Sequence, residues 1–222
     1  MTQQTVQNRL LKDIITGIAV SILIFAVTVY IPVLGFFLAF LLPMPVLLYR
    51  LKLGRKPAAV IMAAVFSIIA AVTGGMYVDL LFYGSLLITG FFLGEYIEMP
   101  LSIEKTGLYT GLTTIGICTL VLFLYAVVTG QNIISIVSEY VAKNIEITLQ
   151  LYSEMGVPEE NIEIISSSID TVQYILVRIL PALIATMLMF GIWINLLFIK
   201  LILVKKKITI ARLEKLNQWR AP

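Results

Sequence analysis

The chain reads as an all-α, polytopic membrane protein: a bundle of six transmembrane helices with an extracytoplasmic amphipathic helix between the fifth and the sixth. Three observations predict this. Of its 222 residues, 59% are hydrophobic and only 13% charged, and the mean hydropathy of +0.99 lies beyond what a soluble domain keeps in water. Six apolar stretches approach the roughly 20 residues, or about 17 where the flanks snorkel, that a helix needs to cross a hydrocarbon core of about 30 Å. Lysine and arginine also alternate between successive loops as six crossings require, whereas five or seven crossings break the pattern.

The first span runs from Ile14 to Ile31 and the second from Val33 to Leu48, separated only by Pro32. The third, Ala58 to Thr73, and the fourth, Met76 to Phe92, are separated by Gly74 and Gly75. Proline and glycine interrupt helices, so each pair is expected as a tight hairpin rather than one long helix. The fifth span is Leu108 to Val128 and the sixth Ile179 to Ile199. Arg9 and Lys12 before the first apolar run resemble the start of a signal peptide, but no small-residue cleavage site follows, and a retained first helix is expected. No internal repeat is evident beyond a weak two-fold pattern of hairpins.

Orientation follows from the tendency of basic loops to stay cytoplasmic. With a cytoplasmic N-terminus, the inner positions hold Arg9, Lys12, Arg50, Lys52, Arg55, Lys56, Lys105, Lys200, Lys205, Lys206, Lys207, Arg212, Lys215 and Arg220, all of the 16 basic residues except Lys143 and Arg178. The long outer segment is acidic, with Glu139, Glu146, Glu154, Glu159, Glu160, Glu163 and Asp170. Both termini are therefore expected in the cytoplasm of a bacterium, with the chain in its inner membrane. Residues 1–204 form the transmembrane domain, 130–171 its extracytoplasmic insertion and 205–222 a basic cytoplasmic tail.

In the insertion, Ile133, Val137, Tyr140, Val141, Ile145, Leu149 and Tyr152 recur at helical spacing while Glu139, Lys143 and Glu146 fall on other faces. The helix over 131–155 is expected to end at Gly156, with Pro158 beyond it, and to serve as a surface element or a lid. Ser167 with Asp170 suggests an N-terminal cap for a last helix running to about Val204, longer than the bilayer is thick. The tail, with Ile208, Leu213, Leu216 and Trp219 among its basic residues, suits anionic headgroups better than nucleic acid.

Helix association in lipid depends on small residues that let backbones approach. Ala59, Ala63, Ser67, Ala71 and Gly75 form such a stripe down the third span. Gly107 and Gly111 open the fifth, Gly90 and Gly94 close the fourth, and the first offers Gly17 and Ser21. These surfaces are expected to pack helices or dock a partner. Pro43 and Pro45 near the end of the second span predict a kinked or partly unwound stretch whose freed backbone groups find partners inside the protein.

With no histidine and a single cysteine, Cys118, the chain has no Ser-His or Cys-His nucleophile, no His/Cys metal site and no internal disulfide. No catalytic constellation and no cofactor is expected. Charge inside a span is costly and marks a partner, cavity or substrate path. Asp79 and Arg178 both fall near the outer ends of their spans, where they either line an outward-facing ligand site or snorkel to the interface. Tyr83, Ser85, Thr110, Thr113 and Thr114 would add hydroxyls to such a site, or bond to their own helices. Glu95, Glu98, Glu104 and Lys105 are expected as solvated charges of a cytoplasmic loop.

The stretch IPVLGFFLAFLLPMPVLLYRLKLGRK, Ile31 to Lys56, followed by a small-residue span, a glycine-containing fourth span and a long region before a final helix, resembles the YybS-like family of uncharacterised bacterial integral membrane proteins. Its most specific part is the P-x-P of Pro43 and Pro45 before Arg50 and Gly54. That family is in turn similar to the six-helix S components of energy-coupling factor transporters. The resemblance implies a non-catalytic component that binds a small solute from outside and docks on a transmembrane coupling subunit and ATPase. The Ala-x-x-x-Ala docking motif of many S components is replaced by Gly17 and Ser21, and no vitamin signature is present. Absence of histidine argues against a nickel or cobalt substrate. The other expected role is a structural or assembly protein that binds a partner through its small-residue surfaces and basic tail.

Overall fold

The computed structural model describes residues 3–74, 77–158 and 166–205. They form eight helices and, among the described residues, no strand: α1 (Gln3–Tyr30), α2 (Pro32–Ala39), α3 (Pro43–Leu53), α4 (Arg55–Val72), α5 (Tyr77–Glu98), α6 (Ile103–Thr129), α7 (Ile133–Glu154) and α8 (Ile169–Lys205). Six segments are long and apolar enough to cross a membrane, with α2, a short turn and α3 together making the second. The polytopic helical fold read from hydropathy is the fold observed. The chain divides into two compact units, one holding residues up to Gly116 and from Leu188 onward, the other Ile117–Met187.

The first unit is organised around α3. On one side Leu42, Val46 and Tyr49 pack with Phe25 of α1, Ile61, Val65 and Ile69 of α4 and Leu87 of α5. On the other, Met44 and Leu47 meet Leu93 and Ile97 of α5 and Ile192, Leu196 and Ile199 of α8. Two glycines bring α5 close to α3: a Cβ at Gly90 would run into the Pro43 carbonyl, and one at Gly94 into the stem of Arg50. This is the close backbone approach that small residues permit.

The break in the second span comes just before the two prolines, at residues 40–42. In an unbroken helix the N–H groups of residues 43 and 45 would bond the carbonyls of Ala39 and Leu41, and proline has neither. Leu42 N–H donates instead to Ala39 O at 3.1 Å, and Met44 N–H to Leu41 O at 3.0 Å. Met44 is thereby drawn from the Phe40 carbonyl. Asn195 of α8 replaces it, donating Nδ2 to Phe40 O at 2.6 Å from a fully buried position. A backbone acceptor left bare in an apolar interior would be costly, and the asparagine satisfies it, while its own Oδ1 is buried without a partner among the described residues.

Between α3 and α4 there is a single residue, Gly54, at φ 87°. That left-handed conformation suits glycine, and it turns the chain back without a loop. At the other end of α4, Gly74 at φ 63° closes the helix; Gly75, expected in the stripe and the turn, lies outside the described residues.

In the second unit, α7 starts at Asn132, whose side chain accepts the Ile134 N–H at 3.0 Å, and ends before Gly156 at φ 78°. Gln173 of α8 donates to the carbonyl and hydroxyl oxygens of Ser138 at 3.1 and 2.7 Å. Ile136 and Val141 are buried, while Ile134, Leu151 and Met155 are exposed. The start of α8 at Ile169 puts Ser168, rather than Ser167, at its N-terminal flank, with Val172 N–H donating to Ser168 O at 3.0 Å. Of the tail, residues 206–222 lie outside the described residues.

Candidate functional site

The charges at the joint of α3, α4 and α5 form a linked cluster. Arg50 is 1% exposed and donates Nε to Glu95 Oε1 at 2.7 Å. Its two terminal nitrogens reach both oxygens of Glu98, at 3.3 and 2.9 Å. Arg55, one residue beyond the Gly54 joint, donates Nε to Glu95 Oε2 at 2.8 Å, and its Nη2 lies 2.8 Å from the same oxygen in an ion pair. Glu95 thus carries one guanidinium on each oxygen. A buried carboxylate so close to apolar helices is tolerable only when paired and hydrogen-bonded, and here both conditions hold.

This overturns the expectation of a solvated loop charge for Glu95, which is buried, whereas Glu98 is exposed as expected but belongs to the helix rather than to a loop. The fourth span does not stop at Phe92; α5 continues to Glu98 in unbroken register. Glu95 and Glu98 are three residues apart on that helix, so both come within reach of Arg50 on α3. The pattern Gly90-x-x-x-Gly94-Glu95-x-x-Glu98 already held this signal, had the helix been extended past the first charge.

Beside the cluster lies a groove of about 320 Å³ lined by Arg55, Phe91, Phe92, Glu95, Tyr96 and Met99. The α5 residues recur at three and four positions, the spacing of one helix face. Tyr96 shares its hydroxyl with Thr113 of α6 at 2.7 Å, and its ring stacks on Phe92. The groove is shallow and open, and combines apolar and aromatic walls with an ion pair at one end.

The residues singled out for a ligand site divide between the two units. Asp79 is half-buried in the first turn of α5, about 24 Å along the helix from Glu95 at about 1.5 Å per residue. Tyr83, one turn on, packs edge-on against Phe25 with ring centres 4.9 Å apart. Arg178 belongs to the other unit, is exposed, and stands 4.1 Å over the Tyr174 ring. Thr110 donates to Thr106 O of its own helix at 2.7 Å, while Thr114 lies 3.3 Å from the Thr89 hydroxyl of α5. Ser85 donates to Phe82 O.

The small-residue positions divide between buried and exposed. Gly107 and Gly111 are buried, and a Cβ at each would meet Ile192 and Met189 of α8. Pro43 and Pro45 are buried at the centre of the first unit. On α4, by contrast, Ala59 is half-buried and Ala63, Ser67 and Ala71 are exposed; the face turned inward is Ala58, Ile61, Val65 and Ile69. The stripe is not an internal seam of this chain among the described residues, because the larger side chains bury more apolar surface and so occupy the core.

Among the described residues no group of acidic, cysteine or histidine side chains is placed to hold a metal ion. Neither a curated protein nor a solved structure matches the chain. A family model described as "Predicted membrane protein (DUF2232)" matches residues 19–222, and the chain belongs to that family of integral membrane proteins.

Proposed function

We propose that this is a non-catalytic component of a bacterial cytoplasmic-membrane transport system, one that binds a small solute in the groove between Arg55 and the aromatic face of α5. The observation that carries the reading is the fixed ion pair: Glu95 holds Arg55 at the mouth of an aromatic-walled groove, so the polar contact exists before a ligand arrives. The resemblance of Ile31–Lys56 to the YybS-like family, itself similar to energy-coupling factor S components, supports a transport role, with a coupling subunit and ATPase as partners. By the positive-inside rule both termini and the groove face the cytoplasmic side. The site then lies at the opposite end of α5 from Asp79, and Asp79 with Arg178 is left as interfacial charge.

The test is native mass spectrometry of the chain purified in a mild detergent, followed by Phe92→Ala and Asp79→Asn. A small molecule lost in Phe92→Ala and kept in Asp79→Asn supports the groove. Loss in Asp79→Asn alone returns the site to the outer end.

A second reading is favoured by a different observation. The exposed Ala63, Ser67 and Ala71 of α4 leave room for a helix of another subunit, as an assembly protein would require. A stable protein partner without any small molecule in the same preparation would favour it.

A further inference from the structure

We propose that the solute of the groove is an anionic phospholipid, drawn sideways from the leaflet at the basic end of the bundle rather than from water. This rests on the solute-binding reading and narrows it to a chemical class.

Arg55 turns unused donors toward the groove. A guanidinium has five N–H groups. Nε donates to Glu95 Oε2 and Nη2 lies 2.8 Å from the same oxygen, and no further partner of Arg55 occurs among the described residues. The outer N–H groups therefore sit on a side chain that is 70% exposed. Because Nε and Nη2 both face one carboxylate oxygen, the outer edge of the planar fork is turned to the groove mouth. A planar fork with free donors matches a phosphate oxygen pair.

The acid beside it does not repel such a ligand. Arg50 and Arg55 together balance the two acids Glu95 and Glu98, so the cluster carries no net negative charge. Lys56, exposed and next in sequence to Arg55, adds positive charge. A cationic ligand would meet Arg55 itself. A neutral polar one would find few free acceptors, since both Glu95 oxygens are engaged and the Tyr96 hydroxyl is shared with Thr113.

The remaining wall is apolar. Phe91, Phe92 and Met99 line the groove with the Tyr96 ring, and about 320 Å³ accommodates a headgroup and the first part of a chain but not a whole lipid. The rest of the chain would remain in the bilayer that the spanning helices occupy. Polar donors at the basic rim with aromatic rings just below them match the depth profile of a leaflet, phosphates at the interface and chains beneath.

The experiment uses the full chain in a neutral maltoside detergent, titrated with dioctanoyl phosphatidylglycerol, dioctanoyl phosphatidylcholine and octyl phosphate. Binding is read by native mass spectrometry and calorimetry. The expected result is saturable one-to-one binding of the phosphatidylglycerol, with phosphatidylcholine at least tenfold weaker. Arg55→Gln and Phe92→Ala should each weaken phosphatidylglycerol tenfold or more, with Arg55→Lys in between. Gel filtration and circular dichroism show that the variants are folded, and Phe92→Ala leaves the ion pairs intact should Arg55→Gln not fold. Equal binding of the two lipids, or undiminished binding by Arg55→Gln, overturns the proposal. Octyl phosphate binding as tightly as phosphatidylglycerol in an Arg55-dependent way overturns the lipid source but leaves solute binding standing. If none of the three binds while a different co-purified molecule is lost in Phe92→Ala, the class is wrong and the groove is right; if nothing binds at all, both readings fall.

Discussion

Gly90 and Gly94 on α5 and Ala63, Ser67 and Ala71 on α4 follow the same spacing of small residues, yet the first pair is buried against α3 and the second set is exposed. The difference lies in what occupies the rest of each helix. On α4, Ile61, Val65 and Ile69 offer a large apolar ridge on another face, and that ridge fills the space between α1, α3 and α5. On α5 the Pro43 carbonyl and the Arg50 stem lie where a Cβ at Gly90 or Gly94 would stand. A small-residue stripe permits contact; the neighbouring side chains decide whether it is used.

The sharpest way to break this comparison is at the point where close approach is needed for charge pairing. Arg50→Met takes one of two guanidiniums from the buried Glu95, and because Arg55 stays on the other oxygen a loss of about 2–4 kcal/mol is expected, short of the cost of a wholly uncompensated buried charge. Thermal unfolding in detergent measures it, and a melting temperature unchanged from the parent would mean that the cluster is not formed. Gly90→Ala comes next. Its Cβ meets backbone, which cannot rotate aside, so a loss of about 1–3 kcal/mol is expected, partly offset by alanine's better helix propensity.

Asn195→Leu tests whether α3 depends on its cap as well as on its glycine contacts. It removes the donor to Phe40 O without opening a cavity, and a loss of about 1–3 kcal/mol is expected, with faster amide exchange around residues 40–44 as the readout. Ala63→Val on the exposed face is the matching control. Its effect on the isolated chain should stay within about 0.5 kcal/mol. A destabilisation as large as that of Gly90→Ala would show the two stripes to be equivalent after all. The exposed pair of Lys52 and Asp13, 2.7 Å apart, should give the smallest response, with Lys52→Met costing less than about 1 kcal/mol and less still in high salt.

Much of this fold was legible because lipid imposes a length on apolar runs and water imposes a price on charge. The hairpin at Pro32, the amphipathic α7 with its stop at Gly156, and the long last helix all follow from local patterns that tertiary contacts leave intact. The reading failed where one rule was applied past its range. Hydropathy ends a span at its first charge, so Glu95 and Glu98 were assigned to a loop, although helical register carries α5 through them. The distortion expected around Pro43 and Pro45 is present, by contrast, at residues 40–42, because the N–H bonds that the prolines lack belong to the preceding turn. Asn195, 155 residues away from Phe40, left no local signal at all. For the candidate site, Arg55 and Glu95 were visible only as loop charges, and their meeting depends on a joint one residue long.

That joint, Gly54, holds the angular phase of everything after it. Adding one residue there would turn α4 by about 100° about its own axis. The ridge of Ile61, Val65 and Ile69 would swing out of the core, and Arg55 would leave the carboxylate it holds. Single-residue insertions should therefore be far less tolerated at this position than at Gly130 or Gly156, where the chain turns between α6 and α7 and after α7 with more than one residue to absorb the change.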